Sequence, residues 1–242
     1  MTIQSRRSGG QGVRRSRRSP LRGASGVIAA GHLQATPQNG SVHDLFISTF
    51  VASPGRFPAD IGALCLWDVV GQTEVLVREV LAELPDGFRR SGQVAVHDTA
   101  VVADSAALTG PVIISARCQI GPGALLRAGT WLDEDVTIGP HSEVKASLIF
   151  ARSAAAHRNY VGNSIIGQDV NLEAGAVLAN HFNERADKRI FARVNGRAVP
   201  TGLTKFGAIL GDGHGSEPTP SPPPVRCCRR AVSSRALALS IS

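Results

Sequence analysis

Between Val96 and Val144 an aliphatic residue recurs at every sixth position: Val96, Val102, Leu108, Ile114, Ile120, Leu126, Leu132, Ile138 and Val144. If roughly a quarter of positions are aliphatic, nine in one phase arise by chance about once in a few hundred thousand trials, so the period decides the fold. A second row of small or slim side chains follows four residues after each: Ala100, Ala106, Val112, Cys118, Ala124, Thr130, Val136 and Ser142. Each unit makes one short strand and one turn, and three units close a triangular coil of about eighteen residues, the hexapeptide repeat of a parallel β-helix. Gly121, Asp133 and Gly139 directly follow inward aliphatics and are expected to make the turns. Coils stack about 4.8 Å apart, so residues eighteen positions apart become vertical neighbours.

Either side of these coils the pattern changes. Residues 1–40 combine Arg, Ser and Gly with almost no large apolar side chain, which predicts a disordered basic tail. Within it, Gly9-Gly10-Gln11-Gly12 followed by Arg14 and Arg15 looks like a phosphate-cradling loop. No apolar strand precedes it and no helical pattern follows, so it reads as solvated tail. Residues 41–93 read as a small helical cap over the open end of the solenoid. Leu45, Phe46, Ile47 and Phe50 suggest a short strand, and Leu76, Val77, Val80, Leu81 and Leu84 a helix stopped by Pro85-Asp86-Gly87. The β-helix is expected over 94–213, with a phase break after Val144. Ile166, Leu172 and Leu178 resume the rhythm in a shifted frame, so the stretch from Ala151 to Tyr160 is expected to loop out. Residues 182–203 form a longer excursion before a last coil-like fragment, Phe206 to Asp212. Residues 214–242 begin His-Gly-Ser and run into Glu-Pro-Thr-Pro-Ser-Pro-Pro-Pro, predicting a second disordered tail that cannot make a coil. A solenoid ending at Asp212 is expected to leave strands unpaired and to expose Ile209 and Leu210, weakening association and activity.

Charge refines this outline. The formal net charge of +7 belongs to the ends, since residues 41–213 hold 15 basic and 18 acidic side chains, a net of −3. The basic ends lack interleaved aromatics, which argues against nucleic acid as a partner. Cys65, Cys118, Cys227 and Cys228 make no disulfide framework and suit a reduced, cytoplasmic setting. No run approaches the length of a membrane span. The Arg pairs near the start would suit a twin-arginine export signal, but Gly23 to Gly31 is too short and poor an apolar region for one.

The candidate chemistry starts from Arg127 and Lys145, one coil apart and each directly after an inward aliphatic. Two cations stacked about 5 Å apart repel by roughly 3 kcal/mol at an effective dielectric of about 20, a cost that a phosphate or diphosphate between them removes. His157, with Tyr160 three residues on, offers an imidazole suited to general-base work. No Ser or Cys stands in a nucleophile elbow, which favours direct transfer over a covalent acyl-enzyme. Zinc hydration chemistry on a similar helix, as in γ-type carbonic anhydrases, needs two closely spaced His. His97, His141, His157 and His181 offer no such pair, and no metal is expected.

The segment His157-Arg-Asn-Tyr160-Val-Gly162 matches a His-x-x-Tyr-x-Gly motif, and Val170-Asn171-Leu-Glu-Ala-Gly175 matches Val-Asn-x-Gly-Ala-Gly. On these motifs the stretch Arg127 to Asn180 resembles the acetyltransferase domain of the bifunctional glucosamine-1-phosphate acetyltransferase/N-acetylglucosamine-1-phosphate uridyltransferase family. More broadly, Leu45 to Asp212 looks like hexapeptide-repeat transferases labelled nucleotidyltransferase-like or acyltransferase-like. The resemblance implies a left-handed helix, a homotrimer with sites between subunits, and acyl transfer from acetyl-CoA to a phosphorylated or nucleotide-linked sugar. By it, Arg127 and Lys145 would bind the sugar phosphate and His157 would be the base. Tyr160, Asn171 and Lys205 would hold the sugar and its phosphate, with Asn180 close by and Ala174 meeting the acetyl group through its backbone. Glu173 replaces a motif glycine and His181 a tyrosine, so the sugar need not be the same. The alternatives are a sugar-1-phosphate nucleotidyltransferase-related protein and a non-catalytic assembly module.

Overall fold

The computed structural model describes residues 45–194 and 197–213. The two predicted disordered tails lie outside the described residues. The chain forms a parallel β-helix whose three faces are sheets of short strands. Sheet 1 stacks Val94–His97, Val112–Ile114, Thr130–Leu132, Leu148–Ile149, Ile165–Ile166 and Ile209–Leu210, with Phe88–Ser91 added antiparallel at its first edge. Sheet 2 stacks Ala107–Thr109, Leu125–Arg127, Glu143–Lys145, Tyr160–Gly162 and Val177–Leu178. Sheet 3 stacks Val101–Val102, Gln119–Ile120, Thr137–Ile138 and Ala154–Ala155, and Asn171 continues it through a bridge to Ala154. The six-residue rows fall into register as the sequence predicts. Val96, Ile114 and Leu132 stack, as do Val102, Ile120 and Ile138, and Leu108, Leu126 and Val144. From Ile114 onward these side chains are buried along the axis, each worth about 1.5–3 kcal/mol.

The corners differ from expectation in an instructive way. The left-handed backbone falls three residues after the inward aliphatic, on Arg117, Asp135, His141, Arg152, Arg158 and Asp169, and not on Gly121, Asp133 or Gly139. Gly139 is required for a different reason: a Cβ there would lie 1.7 Å from the Ala156 carbonyl oxygen of the next coil. The expected ejected loop at 151–160 is absent. Ala154–Ala155 pairs with Thr137–Ile138 and Tyr160–Gly162 with Glu143–Lys145, so this stretch is ordinary coil. The phase shift comes from the corner between sheets 2 and 1. Three residues separate Arg127 from Trp131, but two separate Lys145 from Leu148 and Gly162 from Ile165. Ala146 and Asn163 take up the tighter turn with positive φ. Each of these coils is therefore one residue short.

The excursion seen in the sequence is an arm inserted at the same corner, between Leu178 and Ile209, with a hairpin of Phe191–Val194 and Arg197–Pro200. The segment before the coils also departs from the reading. Ile47–Thr49 is a 3-10 turn, because Phe46 bridges Cys65 and the Thr49 and Phe50 amides turn back to Phe46 and Ile47. Helix α1, Leu66–Ala82, does not cover the open end but packs on the outer face of sheet 1. There Leu66, Val70, Leu76 and Val77 share a core with Ile113, Trp131, Leu148, Ile165 and the arm's Ile190. Leu203 of the arm fits where α1 has Gly71, whose added Cβ would stand 2.8 Å from it. Ile209, expected to be exposed, is 3% exposed because it faces this flank core.

Candidate active site

Sheet 2 keeps its outer face open, and its alternation sets two outward columns on either side of the inward Leu126, Val144 and Val161. One column is Leu125, Glu143, Tyr160 and Val177; the other is Thr109, Arg127, Lys145 and Gly162. Arg127 and Lys145 are direct register partners, as their spacing predicts. Glu143, which the sequence reading passed over, lies on the Lys145 strand diagonal to Arg127 and accepts from Arg127 Nε at 2.9 Å and Nη2 at 2.7 Å. The one-coil stacking rule sets Glu143 over Leu125, so its pairing with Arg127 is a diagonal contact between the two outward columns. The Lys145 ammonium has no hydrogen bond or ion pair among the described residues, although its carbonyl accepts from Ser147 Oγ at 2.8 Å and from Asn163 N at 2.9 Å. Partial burial, then Lys205 and Arg127, hold its ammonium below the usual lysine range, with Glu143 acting against them.

Lys205 arrives from the returning base of the arm. Above Lys145 stands Gly162, and its missing side chain leaves room for two polar groups: a Cβ would lie 2.7 Å from the Tyr160 hydroxyl and 2.8 Å from Asn180 Nδ2. Tyr160 Oη donates to Asn180 Oδ1 at 3.3 Å, and Asn180 Nδ2 donates to Asn163 Oδ1 at 2.6 Å. Burial, then the Glu143 carboxylate, raise the Tyr160 phenol above its usual range, so it stays a donor. Arg127, Lys145, Tyr160, Asn180 and Lys205 thus share one surface: three cations, one of them paired to Glu143, beside a polar wall. Asn163 is a second residue the sequence reading missed.

The remaining candidates lie elsewhere. His157 is exposed at the corner from sheet 3 to sheet 2, where its backbone N–H donates to Asn159 Oδ1 at 2.9 Å. Gly175 N donates to the His157 carbonyl at 2.8 Å, which sets the exposed Ala174 in the turn one rung above. Asn171 is exposed on sheet 3. His157, Ala174 and Asn171 therefore sit across sheet 2 from the corner where the arm delivers Lys205. The two thiols among the described residues offer no competing nucleophile. Burial raises Cys65 to about 11 and Cys118 to about 12, and Cys118 Sγ donates to the Asp133 carbonyl. Among the described residues no group of three or more His, Cys, Asp and Glu is placed to hold a metal ion, and no helix is long and apolar enough to cross a membrane.

Comparison with known proteins bears on this surface. A family model described as the GMPPB C-terminal domain matches residues 90–197, which contain both cations of the column and the His-x-x-Tyr-x-Gly motif. The bifunctional sugar-1-phosphate nucleotidylyltransferase/acetyltransferase of Sulfurisphaera tokodaii is 37% identical over 135 residues, 55% of this chain and 33% of the relative. Bifunctional protein GlmU of a Janthinobacterium species is 34% identical over 164 residues, 66% of this chain and 36% of the relative. The chain is a hexapeptide-repeat relative of these bifunctional transferases. As such a relative it spans about a third of their length. Among solved structures, a perosamine N-acetyltransferase from Caulobacter crescentus, in complex with CoA and GDP-perosamine, aligns with 35% of this chain and 50% of that one. The likeness is slight, at 15% identity and a TM-score of 0.31.

Proposed function

We propose that this hexapeptide-repeat relative is an acyltransferase that moves an acetyl group from acetyl-CoA to an amine or hydroxyl of a phosphorylated or nucleotide-linked sugar. The observation that carries the reading is the stacked pair Arg127 and Lys145, joined by Lys205 and walled by Tyr160 and Asn180. The stacked pair, partly withdrawn from water, suits a phosphate, and the donor and acceptor groups beside it suit sugar hydroxyls. The names of the bifunctional relatives agree with this pairing of sugar phosphate and acetyl group. Acetyl-CoA supplies an activated thioester. Ala174 fits a role beside it: it is exposed, small, and its N–H has no partner among the described residues, so it is free to meet an acyl oxygen. His157, one rung below, would take the proton from the attacking amine or hydroxyl and pass it to the departing thiolate. Because the base and the cations sit apart within one chain, we assign the working form to a homotrimer in which neighbouring copies complete each site, in the cytoplasm.

The test measures binding and turnover separately. Lys145→Ala should weaken binding of glucosamine 1-phosphate by about 1–3 kcal/mol in calorimetry, the usual worth of a charge-assisted contact. His157→Ala should lower acetyl transfer by about 10² to 10⁴ and leave sugar-phosphate binding intact. Unchanged affinity in the first variant, or pyrophosphate release from a nucleoside triphosphate as the main activity, would overturn the assignment.

A further inference from the structure

The arm leaves the solenoid at Asn180 and His181 and comes back at Thr204, Lys205 and Phe206, and two hydrogen bonds tie its base. Phe206 N donates to the Asn180 carbonyl at 2.9 Å, and His181 Nδ1 meets the Thr204 carbonyl at 3.1 Å. A carbonyl oxygen only accepts, so Nδ1 is the protonated nitrogen and a neutral ring keeps Nε2 as an acceptor. Lys205 lies between the two tied residues. Its own side chain is exposed and has no hydrogen bond or ion pair among the described residues. The bonds of the next two amides, Phe206 N to the Asn180 carbonyl and Gly207 N to the Asn163 carbonyl at 2.9 Å, seat it beside the polar wall next to Lys145. Nothing but the backbone on either side therefore sets where its flexible stem begins.

We propose that His181 is a positioning residue of the anion site: by holding the Thr204 carbonyl it fixes the start of the Lys205 side chain, so that this ammonium reaches a phosphate already resting on Lys145. This rests on the reading of the cation column as a sugar-phosphate site. The chemistry asks for a side-chain N–H at that reach. A glutamine amide reproduces it and a leucine of similar bulk does not.

The experiment is a double-mutant cycle with glucosamine 1-phosphate as the calorimetric probe, using the full chain with H181L, K205A, the double variant and H181Q. H181L and K205A should each weaken binding about tenfold. The double variant should be no weaker than K205A alone, and H181Q should stay within about twofold of the parent. Nitrogen-15 NMR of the parent chain should show His181 protonated at Nδ1, a readout that needs no variant to fold. Additive losses in the double variant, or an Nε2–H tautomer, would overturn the positioning role while leaving the site reading in place. Absence of binding by the parent chain would remove both.

Discussion

An alanine at Gly162 would place its Cβ 2.7 Å from the Tyr160 hydroxyl and 2.8 Å from Asn180 Nδ2, closer than carbon approaches either atom. Both groups would have to withdraw, and Asn180, 9% exposed and bonded on both sides, has little room to do so. Gly162→Ala should therefore cost about 1–3 kcal/mol in chemical denaturation. In titration the same variant should bind glucosamine 1-phosphate about tenfold more weakly, because the wall beside Lys145 is lost. The pair Arg127 and Lys145 was legible because a fixed period turns sequence distance into contact. Lys205 was reachable only through resemblance: the arm, leaving after Leu178, interrupts the period before it. Glu143 and Asn163 were legible in principle but carry no motif, and only their neighbours give them a role.

At the level of elements, the corner between sheets 1 and 3 shows how a turn is held without glycine. Arg117, Asp135, Arg152 and Asp169 all adopt positive φ there, one above another, with charges that alternate. Arg117 bonds Asp135 at 2.8 Å and Glu134 at 2.7 Å, and Arg152 bonds Asp169 at 2.6 Å. The guanidinium partners hold the Asp135 and Asp169 carboxyls below the ordinary 3.8. A carboxyl lowered on folding adds stability that is complete above its unfolded value and fades as pH falls through its folded one. The variant D135N/D169N should accordingly melt below the parent at pH 7, and the two curves should converge as the pH drops under about 3.8; a gap that persists at pH 2 would show that the ladder acts by packing instead. The strands themselves were plain in the sequence. Two corners shortened by one residue were not, because a lost residue at a turn looks the same as an inserted loop when only the aliphatic phase is followed.

For the whole molecule the decisive feature is the flank. Helix α1, the turns before it and the arm cover sheet 1 with one continuous core that draws on Leu45 at one end and Ile209 at the other. Hydropathy predicted a helix but could not say which part of the solenoid it covers, since the apolar outer face of sheet 1 interleaves with the inward row and reads as a run. The two ends of the described body are also fastened directly. Asp212 accepts from Ala52 N at 2.8 Å and from Gln168 N at 2.7 Å, and its own amide donates to the Phe50 carbonyl at 3.1 Å. Asp212→Ala leaves two amides without their acceptor and should lower the melting temperature by several degrees, about 1–3 kcal/mol, in calorimetry.

A stack of coils that touch only their neighbours frays from its tips and melts in instalments. Here the clasp at Asp212 turns the stack into a closed circuit, with the first described turn and the last sharing one set of bonds. The two neighbouring rungs that carry Tyr160 and Asn180 lie near a tip, where fraying would otherwise loosen them first. Hydrogen exchange at Val161 and Ile166 should then be as slow as at Leu126 in the middle, and heat should undo the body in one transition.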